Sequence, residues 1–236
     1  MAPGAAAPAG SSWMAEPAPV ARGQGTGGLG QNGSVPARVI VLAGPSGAGK
    51  SRLAERLGLP VLRLDDFYKS ASDAGLPVIT EGANAGLTDW DHPDSWLPDD
   101  AMDTIRALCR DGRAHVPIYD IAHDGRCGEQ LLDLGDHRLF LAEGIFAQEV
   151  VPACGREGLL EAAYCLTQHP IVTFWRRLTR DLREHRKPPL VLVRRGWSLM
   201  RAQREVVRHA VALGCSPVRP HEAYAEIRER EVVGRG

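Results

Sequence analysis

The chain has 236 residues, 44% of them hydrophobic, and a formal net charge of −1. That length suits one large α/β domain or two small ones, with enough apolar side chains for a sizeable core. Near-neutrality argues against a nucleic-acid or anionic-membrane partner, and no stretch approaches the ~18 apolar residues of a membrane span.

Residues 1–36 hold eight glycines and five prolines, with Glu16 and Arg22 as their only charges. Such a segment cannot bury enough surface to offset its ordering entropy, so it is expected to be a disordered tail before a single domain over 37–236. It lacks the basic start and apolar centre of a signal peptide. Gly23-Gln24-Gly25-Thr26-Gly27-Gly28 matches the dinucleotide pattern G-x-G-x-x-G, but no strand leads into it and no helix follows. We treat it as a compositional accident.

Val39-Ile40-Val41-Leu42-Ala43 is a β-branched apolar run that reads as a buried strand. It leads into Gly44-Pro45-Ser46-Gly47-Ala48-Gly49-Lys50-Ser51, the phosphate-binding pattern G-x-x-x-x-G-K-S, and a helix from Lys50 to about Leu57 stopped by Gly58. Strand, loop and helix together are the context this motif requires. Gly44, Gly47 and Gly49 permit positive φ and leave room for phosphate oxygens. Backbone N–H groups and the helix N-terminus supply a site for negative charge. Lys50 would reach the β- and γ-phosphates, and the Ser51 hydroxyl would ligate Mg²⁺. A nucleoside triphosphate, ATP or GTP, is the implied ligand.

Val61 to Leu64 gives a second strand, ending in Asp65-Asp66-Phe67-Tyr68. Ligands of open α/β sheets sit beyond the C-terminal strand ends, where a carboxylate can meet a substrate. A turn or helix-capping carboxylate is the competing role for either Asp. Residues 70–89 are polar and Gly-rich and read as a loop over the site. Trp90, Asp91, His92, Asp94 and Trp96 follow. Their aromatic faces suit a base or sugar and their carboxylates suit sugar hydroxyls, while one of the two Trp residues is expected to pin the loop to the core. Pro98 to about Arg110 has helical spacing of Ala101, Ile105 and Leu108, with acids in its first turn and Gly112 at its end.

Val116-Pro117-Ile118-Tyr119-Asp120 reads as an edge or irregular strand because of its Pro. A loop over 121–128 would then carry His123, Asp124 and Arg126. Leu139 to Ala142 is a buried strand ending in Glu143, placed to serve a magnesium shell, and Ala162 to Leu166 is a further strand. Pro170 to about Lys187 is a two-faced helix, with Ile171, Trp175, Leu178 and Leu182 opposite a set of arginines. Residues 176–208 hold eleven Lys/Arg against three acids. That is either a solvated basic face or a cationic lid over transferring phosphate. Ser198 to Leu213 reads as another helix closed by Gly214, and the end from His221 is ambiguous. The five cysteines, at 109, 127, 154, 165 and 215, include no C-x-x-C pair. This fits free thiols in a reducing cytoplasm.

In order, GPSGAGKS, DDFYK, WDHPDSW, PIYD, LAEGIF and RRLTRD resemble the uridine/cytidine kinases of the P-loop kinase group, over residues 39–187. The resemblance implies a P-loop NTPase three-layer α/β sandwich, a five-stranded parallel sheet with helices on both faces and a lid. It implies ATP- and Mg²⁺-dependent phosphoryl transfer to the 5′-hydroxyl of a pyrimidine nucleoside. By position, Asp65 matches the catalytic base, with Asp66 where Ser is usual. Tyr68, Trp90, Asp91, Tyr119 and Arg177 match substrate-side residues, and Glu143 the magnesium acid. Arg180 matches an arginine that approaches the phosphates, and Arg186 and Lys187 lie in the lid region. A base-reading His is expected a few residues after P-x-Y-D. Here His123 comes one position early and Asp124 occupies the aligned place. The lid reads E-H-R-K-P-P, and no match extends past residue 188. Three readings therefore stay open: a uridine/cytidine kinase, a phosphoribulokinase- or pantothenate kinase-like enzyme for another acceptor, and a nucleotide-binding regulator without catalysis. All three need a small-molecule ligand and no nucleic acid or membrane, and they leave room for a homo-oligomer.

Overall fold

Strand β1, Arg38–Ala43, lies at the middle of the sheet, and Val39 to Ala43 have no exposed surface. A strand covered on both faces must be apolar throughout, which is why this run shows no polar alternation. It pairs in parallel with β5, Leu139–Glu143, on one side and with β6, Leu160–Leu166, on the other. Strand β2, Val61–Arg63, flanks β5, and β7, Ser216–Val218, flanks β6. The result is a five-stranded parallel sheet in the order β2-β5-β1-β6-β7. The chain reverses direction of travel across the sheet at β1, which puts the crevice for a ligand at its C-terminal end. This computed structural model describes residues 36–82, 85–120, 123–167 and 204–234. The segment 1–35, the expected helix Pro170–Lys187 and the lid lie outside them.

Helices cover both faces. On one, α1, Lys50–Leu57, buries Leu53, Ala54 and Leu57. They pack against Ile40, Leu42, Leu141, Tyr164 and Leu166 together with Ala223 and Ile227 of the C-terminal helix, Pro220–Gly234. On the other face, α2, Pro98–Asp111, buries Ala101, Met102, Ile105, Leu108 and Cys109 at helical spacing. Its Pro start, acidic first turn and left-handed Gly112 stop match the sequence expectation. Helix α3, Val151–Arg156, and a helical run over 204–212 share that layer through Val151, Cys154 and Ala210. Each fully buried Leu or Ile here contributes about 1.5–3 kcal/mol over an exposed one. The fold is that of a P-loop α/β sandwich, as expected.

Two details differ from the sequence reading. Residues 125–128 are not loop: Gly125–Asp133 forms strand β4, antiparallel to β3, Arg113–Asp120. Pro117 does sit in an edge position, opposite Glu129 of a two-stranded ribbon. The strand after Pro60 ends at Arg63, and Leu64–Phe67 is a single 3₁₀ turn. The chain end, which the sequence leaves ambiguous between helix and strand, is a helix from Pro220. All five cysteines are free, as anticipated. Among the described residues, no helix is long and apolar enough to cross a membrane.

Candidate active site

The phosphate loop is shaped by backbone. Gly44 has φ 130° and Gly49 φ 101°. A Cβ on Gly44 would lie 2.7 Å from the Leu166 carbonyl oxygen, so only glycine lets the loop leave β1 this close to β6. Ala48 is fully buried and its N–H donates to the Pro45 carbonyl at 3.0 Å, closing the loop around Ser46 and Gly47. Lys50 follows at the first position of α1. It is 9% exposed, and its ammonium donates to the Gly44 carbonyl at 2.8 Å. A buried cation is thereby held against the first carbonyl of the loop.

Ser51 donates its hydroxyl to Glu143 Oε1 at 2.9 Å. This bond joins the start of α1 to the end of β5. Burial pushes the Glu143 carboxyl above its ordinary range, the charge of Lys50 and the Ser51 hydroxyl hold it down, and Asp65 raises it further. A half-desolvated carboxylate beside a hydroxyl offers two hard oxygens. That donor set fits Mg²⁺, which takes one or two carboxylates plus substrate phosphates.

The two aspartates after β2 have different surroundings. Asp65 is exposed, and its Oδ1 accepts the Ile145 N–H at 2.8 Å. Asp66 is 7% exposed and faces inward. Its carboxylate accepts the backbone N–H of Tyr119 and lies 3.8 Å from Arg63 Nε, so it ties the turn to the hairpin. The resemblance sets Asp65 ahead of Asp66, and the turn leaves Asp65 exposed while it buries Asp66.

Beyond Asp65 stands a group of rings. Tyr68 lies 6.0 Å from Trp90, 5.9 Å from Tyr119 and 5.9 Å from Phe146, centroid to centroid. Burial raises the Tyr68 phenol well above its ordinary value, and the charges of Asp65 and Asp91 raise it further. Both carboxylates therefore act on one protonated phenol, between aromatic faces. Trp96 is the pinning residue: it is 3% exposed, and its indole N–H donates to the Leu64 carbonyl at 2.7 Å. Tyr119 donates its hydroxyl to the Lys69 carbonyl at 3.4 Å. Its phenol is also raised, first by burial and then by Asp124 and Asp73. Asp124, at φ 44°, is near enough for its charge to act on the Tyr119 phenol. His123 does not join the rings: its side chain is 83% exposed, with Nδ1 2.6 Å from Asp120 Oδ2.

The structure therefore brings together Lys50, Ser51 and Glu143, and separately Tyr68, Trp90 and Tyr119, with Asp65 and Asp91 acting on Tyr68. Arg177, Arg180 and Arg186 lie outside the described residues. The sequence reading missed Phe146, whose ring bridges Tyr68 and Trp96 at 5.9 and 6.0 Å. It also gave no role to Gly144. The aromatic two places after the strand-end acid-glycine pair was the available signal.

No protein-family model matches the chain. Over 110 residues it is 32% identical to the inorganic pyrophosphatase TTM1 of Arabidopsis thaliana, a stretch that is 46% of this chain and 16% of that protein. It is 27% identical over 158 residues to the uridine kinase of Leuconostoc citreum (strain KM20), covering 62% of this chain and 69% of the relative. The chain therefore spans only a small part of the plant protein and about two thirds of the bacterial one. Among solved structures, a candidate fructose transport system kinase from Silicibacter sp. TM1040 superposes with a TM-score of 0.54 at 17% identity, over 74% of this chain and 86% of that one. That likeness is one of fold.

Proposed function

We propose that this chain, a uridine/cytidine kinase-like protein with a P-loop kinase fold, transfers the γ-phosphoryl group of ATP to the 5′-hydroxyl of a pyrimidine nucleoside. One observation carries the reading. An exposed carboxylate, Asp65, is fixed by the Ile145 N–H at 2.8 Å at the sheet end that also bears the phosphate loop, and its charge acts on Tyr68, whose ring packs with those of Trp90 and Tyr119.

The residues divide the work. The loop over 44–51 cradles the triphosphate through backbone N–H groups and the α1 N-terminus. Lys50 leaves the Gly44 carbonyl for phosphate oxygens and offsets their charge. Ser51 and Glu143 would hold Mg²⁺, which supplies charge neutralisation on the β- and γ-phosphates. Asp65 accepts the proton of the acceptor hydroxyl as its oxygen bonds to the γ-phosphorus. The bond from that phosphorus to the bridging oxygen breaks, ADP leaves, and Asp65 returns its proton to solvent. Aromatic faces hold a planar base, and Asp91 is placed for ribose hydroxyls.

A second reading keeps the transfer and changes the acceptor. It is favoured by His123, which faces Asp120 and solvent instead of the rings. The test is ADP release with Mg²⁺-ATP and uridine, cytidine, purine nucleosides, pantothenate, ribulose 5-phosphate or no acceptor. Turnover confined to uridine and cytidine is expected. Turnover with another acceptor alone replaces the substrate, and ATP binding without acceptor-dependent turnover rejects the enzyme. In the active assay, Asp65→Asn should cut kcat by roughly 10²-fold or more with ATP affinity kept. Unchanged turnover would remove Asp65 as the base.

A further inference from the structure

The turn that ends β5 touches both halves of the site. Glu143 meets Ser51, and two residues later the Ile145 N–H meets Asp65. Between them stands Gly144. A Cβ there would lie 2.8 Å from Asp65 Oδ1, 2.9 Å from Leu64 Cβ and 3.2 Å from the Asp65 nitrogen. No positive φ demands this glycine, since Gly144 is absent from the left-handed set. The requirement is one of space, and the space is filled by the aspartate carboxylate and the turn that carries it. From the far side, the Trp96 indole holds the Leu64 carbonyl at 2.7 Å. The Asp65 turn is thus bordered by a strand-end glycine and tied at Leu64 by an indole, and the Ile145 N–H holds one oxygen of its carboxylate.

We infer that Gly144 and the Ile145 amide form a positioning element for Asp65, so that one tight turn sets both the metal-side acid and the acceptor-side base. The inference rests on Asp65 being the base, as proposed above. Its physical content is that acceptor deprotonation needs the carboxylate oxygen within a fraction of an ångström of its place. A misplacement near 1 Å costs on the order of 10²-fold in rate. A methyl group at 144 must displace the carboxylate and shift the Leu64–Asp65 turn with it, since it would lie 2.8 Å from Asp65 Oδ1 and 2.9 Å from Leu64 Cβ.

The test is a double-mutant cycle on the full chain, with the acceptor that turns over fastest in the panel above. Gly144→Ala should lower kcat on the order of 10²-fold, with KM for ATP and acceptor unchanged. In an Asp65→Asn background, the same change should cost less than about 3-fold, because neighbouring substitutions acting through one group are not additive. A merely structural glycine would cost the same in both backgrounds, and that result overturns the inference. Asp65→Asn with full activity would instead reject the base assignment, so the two failures are distinguishable. Should Gly144→Ala not fold, Asp65→Glu serves. A carboxylate one methylene longer cannot keep the Ile145 amide in place, and kcat should fall as far as in Asp65→Asn. More than a tenth of wild-type kcat in Asp65→Glu overturns the inference. A crystal structure of Gly144→Ala gives a readout free of turnover: the Asp65 Oδ1–Ile145 N contact should be lost, and its persistence counts against the inference.

Discussion

The proposed phosphate end of the site and its proposed acceptor end are made of different material. Val39 to Ala43 and Phe140 to Ala142 have no exposed surface, and the loop between β1 and α1 is shaped by glycine backbone. The acceptor end hangs on a two-stranded ribbon whose β4 residues are almost all exposed, on the loop carrying Trp90 and Asp91, and on side-chain rings. A triphosphate is the same for every enzyme that uses it, so a backbone cradle on buried strands suffices. An acceptor must be told from its rivals, and side chains on a pliable ribbon allow that choice to vary while the buried sheet stays fixed. Among the described residues, the turn over 143–145 reaches both ends, with Glu143 on Ser51 and the Ile145 N–H on Asp65.

The sharpest way to test this division is Lys50→Ala. Removing the cation should lower kcat by roughly 10²- to 10³-fold, while the acceptor KM stays near wild type. Steady-state kinetics with each substrate varied in turn would show it. A comparable rise in acceptor KM would mean that the two ends are not separable. Tyr119→Ala probes the other side. Loss of one ring facing a base forfeits ~1–3 kcal/mol of stacking, roughly a 5- to 150-fold rise in acceptor KM. Titration of ATP by calorimetry should return the wild-type affinity. An unchanged acceptor KM would take Tyr119 out of the binding site and leave it as a support for Tyr68.

What the sequence disclosed follows the same division. The phosphate loop is legible because each of its residues is dictated by local backbone geometry, and β1, β5 and β6 because burial on both faces demands continuous apolar runs. The fifth strand, Ser216–Val218, escaped because three residues around a Pro give no periodicity. Strand β4 escaped for a different reason: Gly125–Asp133 has polar residues on both faces, so alternation is lost. Gly144 was written in plain view within Leu-Ala-Glu-Gly-Ile-Phe. Its meaning depends on Asp65, almost eighty residues away in the chain, and no local rule reaches that far. His123 and Asp124, adjacent in sequence, have different surroundings: the His123 ring is 83% exposed beside Asp120, while the charge of Asp124 acts on Tyr119.

The finest separation the site makes is between Asp65 and Asp66, one residue apart and on opposite sides of the turn. Asp66 owes its shift first to burial, which raises its carboxyl above the ordinary value, with Arg63 and the Tyr119 N–H opposing and Asp65 adding to the rise. A carboxyl whose folded pKa is raised binds its proton more tightly when folded. Its contribution to stability is therefore full below the unfolded pKa and is lost as the pH rises through the folded one. An asparagine can accept the same Tyr119 N–H without carrying that charge. Asp66→Asn should then match wild type or fall slightly below it in strong acid, and gain on it as the pH climbs from the acid range toward neutrality, as read from Tm against pH. Its kcat should stay near wild type, in contrast to Asp65→Asn. The Arg63 pair works against this outcome only weakly, since its guanidinium is 3.8 Å away and 64% exposed, and such pairs contribute about 0–1 kcal/mol. If Asp66→Asn instead stops turnover in a folded protein while Asp65→Asn does not, the chemistry belongs to the buried carboxylate, and the acceptor end must be redrawn around the hairpin it ties down.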